Sequence, residues 1–265
     1  MPTMPRRDQK QAIAIASLSC LAIVLAGAPW PASAEDAPDF STRVQAALDD
    51  EARPDAERAR DANRKPVQTL AFFGIRSDMD VLELVPGGGW YSRLLAPALA
   101  GTGSLSVWIG VDRFADRFAS LALEDVKIAA PGTALEPTEQ RGIFSLPAVD
   151  LGADAYDAVL TFRNLHNLTP EARATLHRAV FTALRPGGVY GVVDHTRRHM
   201  APDERENWRR LDPVVAIHEA LAAGFVFEDW SDLHHRLDDE LRYEVGRRSV
   251  SGNTDRFTLR FRKPR

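Results

Sequence analysis

The chain has 265 residues, with 33 Lys and Arg against 37 Asp and Glu, a formal net charge of −4 at pH 7. That balance of mixed signs excludes the basic field of a nucleic-acid binder. A single cysteine, Cys20, excludes an internal disulfide framework or a cysteine-based metal site.

The N-terminus reads as a targeting segment. Arg6, Arg7 and Lys10 precede an apolar stretch from Ala12 to Ala28, Pro29 and Pro31 interrupt it, and Ala32-Ser33-Ala34 supplies small residues at a cleavage position. Residues 1–34 are therefore expected to be a secretory signal peptide, with the protein exported to the periplasm and no stable membrane anchor after cleavage. An uncleaved anchor is the alternative, weakened by a stretch that is short and alanine-rich. Cys20 lacks a lipobox, and Asp8 is a poor continuation of a twin-arginine motif. The chain beyond Ala34 is long enough for one α/β domain.

Residues 35–74 are expected to be a helical segment, with helices over Phe40–Asp50 and Pro54–Phe73. Pro66 implies a kink or two shorter helices, and Gly74 a stop. An α/β domain is expected over 75–265. Met79–Val85 is the first predicted strand, Trp90–Ala100 a helix, Ser104–Val111 the second strand and Arg113–Leu123 a helix. A short third strand is placed near Gly142–Ser145, and the fourth at Tyr156–Phe162. Thr169 and Pro170 open a helix. Val189–Val193 is the fifth strand, Asp212-Pro213 starts another helix, and Phe225–Trp230 is the sixth strand. Arg256–Phe261 alternates polar and apolar residues as an edge strand does. Strands alternating with helices imply a parallel sheet, and the last two strands lack a helix between them, which suggests an antiparallel pair.

Val81 to Ala96 carries the densest information. An apolar strand containing Glu83 runs into Pro86-Gly87-Gly88-Gly89, and an amphipathic helix comes next. Such a strand–loop–helix order opens nucleotide-binding units. The dinucleotide fingerprint fails because Ser92 stands at the sixth position, and no Gly-Lys-Ser/Thr completes a P-loop. An acid separated from the glycines by three residues suits a ligand with cationic and hydroxyl groups; S-adenosylmethionine, with a sulfonium, an ammonium and a ribose, fits. A tight turn with no ligand is the plainer alternative.

Ligands of open parallel sheets lie over the carboxyl ends of the strands, so the polar residues there are collected. Asp112 after the second strand can accept two ribose hydroxyls, or cap the next helix. Arg163, Asn164, His166 and Asn167 come after the fourth strand. Asn164 is a candidate cofactor contact and His166 a candidate general base, against a role in loop capping. Asp194 and His195 end the fifth strand, but adjacent strand residues face opposite ways and need not touch. Arg197 and Arg198 are either anion-binding or a solvated run. His166, His195 and Asp194 have the elements of a metal site without helical His-x-x-x-His spacing, so no metal is expected. His234 and His235 are expected to face solvent.

The segments Glu83–Tyr91, Thr161–Asn167 and Leu184–His195, with Leu211-Asp212 and Thr254–Phe257, resemble class I S-adenosylmethionine-dependent methyltransferases. More narrowly they are similar to a family of exported bacterial methyltransferases. The likeness spans roughly Arg53 to Pro264. It implies a Rossmann-like α/β fold: a seven-stranded, mostly parallel sheet flanked by helices, with an antiparallel last strand. It also implies S-adenosyl-L-methionine as cofactor, with Glu83, Gly87, Gly88, Gly89 and Asp112 lining its site; Pro86, Tyr91, Arg163 and Asn164 join the candidate cofactor-binding set from their places in the loops after the first and fourth strands. The adenine-binding acid usual after strand three has no clear counterpart; Asp150 and Asp154 are the nearest.

Methyl transfer is an in-line displacement that needs a positioned nucleophile and, for a protonated acceptor, a base. His166 and His195 are the candidates, and Trp90, Tyr91 and the N-terminal helices are expected to form the lid. The expected acceptor is a small molecule, since no basic groove suggests a polymer. The rival readings are an exported non-catalytic ligand-binding protein that kept the fold, and a nicotinamide-dependent oxidoreductase.

Overall fold

Seven strands form one sheet in the computed structural model, which describes the backbone from Asp36 to Arg265 and side chains from Phe40 onward. The expected leader, residues 1–34, lies outside the described residues. The strands are β1 (Asp80–Leu84), β2 (Ser104–Trp108), β3 (Lys127–Ile128), β4 (Tyr156–Phe162), β5 (Leu184–His195), β6 (Val226–Ser231) and β7 (Arg256–Arg262). Their spatial order is β3-β2-β1-β4-β5-β7-β6. β1 to β5 run parallel, while β7 is antiparallel to both β5 and β6. Order reverses between β1 and β4, which is where open α/β sheets bind ligands.

The central strands are buried on both faces, so they read as apolar runs rather than alternations. Val81 packs with Leu94, Leu95 and Leu160 on one face; Leu82 packs with Val159, Leu176 and Tyr190 on the other. The first face is covered by α1 (Asp36–Asp49), α4 (Pro66–Phe72), α5 (Ser92–Leu99) and α6 (Ala115–Ala119), with the short α2 (Asp55–Arg58) and α3 (Asp61–Arg64) lying between α1 and α4 in the chain. The second is covered by α7 (Pro170–Ala183) and α8 (Pro213–Ala222). Two caps match their expectation: the Thr169 hydroxyl accepts from Ala172 N–H at 3.1 Å, and the Asp212 carboxylate from Val214 N–H at 2.9 Å. Among the described residues no helix is long and apolar enough to cross a membrane.

The stretch read as one kinked helix over Pro54–Phe73 is three short ones. Lys65, the residue before Pro66, has φ 42° and breaks α3 from α4, because proline's ring disfavours the α conformation in its predecessor. The helix expected over Arg113–Leu123 shrinks to a 3-10 turn at Asp112–Phe114 joined to α6.

The third strand is corrected. Residues Phe144–Ser145 pair antiparallel with Glu136–Pro137 in a separate two-stranded ribbon. Lys127–Ile128 pairs parallel with Ser106–Val107 and is the true β3. It has two exposed residues and hence no apolar run to betray it.

The edge assignment is corrected too. The Arg256–Phe261 stretch lies inside the sheet, and the edge is β6. Two of the arginines in the Arg256–Phe261 stretch bond to the backbone of another segment instead of standing in water. Arg256 donates to the Asn63 carbonyl at 3.0 Å and Arg260 to the Phe72 carbonyl. The exposed charges of Glu228 and Asp229 mark β6 as a guarded edge.

Candidate functional site

Strand pairing brings three loops together at the carboxyl edge of the sheet. Leu84 pairs with Thr161, and Phe162 with Val193, so the loops after β1, β4 and β5 lie side by side.

The loop after β1 is built from unusual backbone. Val85 has φ 48°, Gly87 61° and Gly89 74°; positive φ in a β-branched residue is an outlier that its surroundings must enforce. Two enforcing bonds come from Asn164, whose amide donates to the Leu84 carbonyl at 3.0 Å and the Val85 carbonyl at 3.3 Å. Asn164 therefore roots the glycine loop. Pro86 closes the turn, its carbonyl accepting from Gly89 N–H at 3.0 Å. A Cβ on Gly89 would stand 2.1 Å from Leu121 Cδ1, and one on Gly88 would stand 3.0 Å from the Arg117 guanidinium. Beside Gly87 there is open space. The N–H groups of Gly87 and Gly88 donate to no protein carbonyl among the described residues.

Glu83 is 3% exposed, on the same face as Val81, and accepts from the Ser92 hydroxyl at 2.6 Å. Burial pushes its carboxyl up to about 7, against the Ser92 bond and the Arg64 charge, which both lower it. Asp112 begins the 3-10 turn after β2. It is not buried, and its carboxylate caps no helix and takes no hydrogen bond among the described residues. The capping alternative therefore has no bond behind it.

Tyr91 is taken up by packing. Its ring stacks on Phe162 at 3.6 Å and 9°, and its hydroxyl donates to the Arg64 carbonyl at 3.3 Å. Trp90 donates to the Glu57 carbonyl at 3.1 Å and lies 4.3 Å under the Arg64 guanidinium. These two aromatics bind the α2–α3 segment to the sheet edge.

The carboxylate of Asp194, 0% exposed, pairs with His166 Nδ1 and accepts from His166 N–H at 3.2 Å. His166 Nε2 has no bonded partner among the described residues, and the ring lines a cavity of about 360 Å³. His195 lines the same cavity, its ring centroid 5.2 Å from that of His166. Its Nδ1 lies 2.8 Å from the Thr254 hydroxyl. Burial, then the neighbouring His166 and arginines, hold His195 well below the ordinary histidine range, so it stays neutral at pH 7. Arg163 has φ 64° and lines this cavity, and it makes no hydrogen bond to the glycine loop among the described residues.

Other expectations move. His234 is 2% exposed: Nδ1 meets the Thr258 hydroxyl at 2.7 Å and Nε2 the Arg64 carbonyl at 3.0 Å. Burial pushes it down to about 4. It is a core histidine; of this adjacent pair, His235 is the one with an exposed ring. Asp154 precedes β4 at the amino edge and pairs with Lys263 at 2.8 Å. Asp150 accepts from Gly152 N–H in the same region. Neither can reach a ligand at the carboxyl edge, a strand's length away. The residues directly after β3, Ala129-Ala130-Pro131-Gly132, include no acid.

Arg197 pairs with Asp203, and Arg198 donates to the Glu240 carbonyl. Sequence reasoning missed Arg60, Asn63, Arg64, Arg209, Thr254 and Arg256, which complete the cavity wall. They come from the helical segment, from the stretch before α8 and from the start of β7, and only long-range contact unites them.

No protein-family profile matches the chain, and no curated protein matches it. Solved structures share its fold. A S-adenosylmethionine-dependent methyltransferase from Aquifex aeolicus superposes with TM-score 0.52 at 16% identity, over 84% of this chain and 98% of that one. The [4+2]-cyclase SpnF gives TM-score 0.50 at 17% identity, over 85% and 94%. A chain from the Haloferax volcanii complex of the Trm112 methyltransferase activator gives 0.53 at 13%, over 87% and 97%. The chain therefore has the Rossmann-like methyltransferase fold, with its antiparallel final strand.

Proposed function

We propose that this protein transfers a methyl group from S-adenosylmethionine to a small-molecule acceptor. The observation that carries the reading is the constellation at the switch point of the sheet. The glycine loop has two unpaired N–H groups, with buried Glu83 behind it and the unbonded Asp112 carboxylate after the neighbouring strand. Its donors and acceptors fit the cofactor. Glu83 is a buried acid that a cationic group would keep ionised. Asp112 offers two oxygens to ribose hydroxyls, and the loop's N–H groups suit a carboxylate. When bound, S-adenosylmethionine supplies a methyl group already activated by a sulfonium.

The chain's own residues hold and deprotonate the acceptor. Asp194 fixes the His166 ring and keeps the proton on Nδ1, leaving the Nε2 lone pair toward the cavity as general base. His195, held neutral, positions the wall through Thr254. Export by residues 1–34 is proposed with this reading. SpnF has the same fold, so the fold alone does not fix the chemistry.

Calorimetric titration of the purified chain with S-adenosylmethionine and its demethylated product, beside a Gly88→Val variant, tests the reading. Micromolar binding that the variant loses supports it. Absence of binding by folded protein replaces it with a non-catalytic binding protein.

A further inference from the structure

The cavity beside His166 is lined by charge of one sign. Arg60, Arg64, Arg163 and Arg256 all face it, and no carboxylate of the described residues does. Arg209 also lines it but is paired with Glu244 at 2.7 Å. The acids around it are engaged elsewhere: Asp194 with His166, Asp255 with His235 and the Arg236 N–H, and Glu57 with Arg93 at 3.4 Å. The Arg163 guanidinium meets no acceptor among the described residues. Arg64 lies over the Trp90 ring, and Arg256 donates only to the backbone carbonyls of Thr254 and Asn63.

Such an arrangement is costly, and neighbouring acids offset only part of it: Glu57 acts on Arg60, Asp194 on Arg163 and Asp255 on Arg256. Burial, then the neighbouring Arg163, pushes Arg64 down to about 8. Burial, then Arg256 and Arg60, pushes Arg163 down to about 10. Guanidiniums remain charged in proteins, so the crowding stands as repulsion that an anion entering the cavity relieves. Planar guanidinium forks also match carboxylate and phosphate oxygens better than a point charge does. Asn63 and Asn167 are neutral polar groups of the same wall, and His166 marks the end where a proton is taken.

We propose that the methyl acceptor is a small anion whose carboxylate or phosphate group is held by Arg163 and Arg256, beside His166, in this cavity. The assignment rests on the methyl-transfer reading for the word acceptor, and on the cavity wall for the word anion. It also explains why the chain keeps a helical segment before its sheet: α3 supplies Arg64, and Arg60 just precedes it.

The test is isothermal titration calorimetry of the full chain with three probes: inorganic phosphate, succinate and S-adenosylhomocysteine. At least one of the first two should bind, phosphate alone marking a phosphorylated acceptor and succinate alone a carboxylated one. In Arg163→Gln that binding should weaken by about tenfold or more, and in Arg163→Lys by much less, because one charge-assisted contact is lost or kept. Should Arg163→Gln misfold, Ser251→Glu sets a carboxylate at an exposed position on the cavity wall and should weaken the anion equally. Failure of both anions to bind folded protein, or equal binding in all variants, overturns the proposal. Binding of S-adenosylhomocysteine without either anion sinks the anionic acceptor and leaves methyl transfer standing. Anion binding without S-adenosylhomocysteine sinks methyl transfer and, with it, the acceptor role of the anion site.

Discussion

Asp194 holds His166, the histidine 28 positions before it in the chain, and not the side chain of its immediate neighbour His195. The two histidines thereby acquire different roles: one is an acid-oriented base, the other a neutral hydrogen-bonding partner. Asp194→Asn should release the Nδ1 proton of His166. Nitrogen-15 spectra of the histidine side chains should show an Nδ1–H tautomer in the native protein and a mixture in the variant. Once an acceptor is known, turnover should fall by about 100-fold or more, as loss of a base's orienting acid does. An unchanged tautomer would remove the orienting role.

Glu83 makes stability depend on pH. Its folded-state pKa of about 7 stands above the ordinary carboxylate value of 4.5, so between those values the folded protein binds more protons than the unfolded chain. Stability without ligand should therefore fall as pH rises from about 4.5 to about 7 and level off above. Glu83→Gln keeps an acceptor for Ser92 and carries no charge. It should be more stable than the native chain at pH 8, by at most on the order of 3 kcal/mol, and equal to it near pH 4.5. Denaturant melts at the two pH values decide, and a variant weaker at pH 8 would show Glu83 to be ionised at no cost. Cofactor binding should be lost at either pH.

Adjacent glycines should respond differently to alanine. Gly87 has open space beside it, so Gly87→Ala pays only for its positive φ, about 1–2 kcal/mol. Gly89→Ala adds a collision with Leu121 and should cost more. Thermal melts order the two, and a costlier Gly87→Ala would mean that the loop is packed differently.

Asn164→Ala removes two bonds to the carbonyls on which the glycine loop is rooted. The expected loss is about 1–3 kcal/mol of stability, with weaker cofactor binding because Val85 is then free to leave its positive φ. Urea titration measures the first and calorimetry the second. Full affinity in the variant would show that the loop holds its shape unaided.

The stretch from Asp232 to Asn253 has almost no regular structure, yet its Asp239 is half of a buried ion pair. Arg210 and Asp239 meet at 2.9 Å with their side chains out of water, and Arg210 also donates to the carbonyls of Tyr243 and Thr196. Asp239→Ala should cost about 3–5 kcal/mol, because a buried guanidinium loses its counter-charge. Exposure of this stretch to limited proteolysis should rise with it, and a variant as resistant as the native chain would show that the pair is not what anchors the stretch.

The parallel core was legible because its strands are buried on both faces and its helices announce themselves by Thr169, Pro170 and Asp212. The glycine loop was legible because few residues other than glycine accept its backbone. β3 was not, since two exposed residues leave no pattern. β7 was misread for a physical reason: arginines that bond to carbonyls of another segment look, in sequence, like arginines facing water. The same blindness hid Arg64 and Arg256 at the site. His234 shows it once more, a histidine in a charged loop that is folded inward onto Thr258 and the Arg64 carbonyl.

Arg256 reaches the carbonyl of Asn63 across 193 positions of the chain. All five parallel strands precede Arg256 in the chain, so the last part of the anion cavity's wall is made after the whole of the parallel sheet. Anion binding is therefore a readout of completeness: a product clipped before Arg256 lacks one of the two arginines proposed to hold the acceptor.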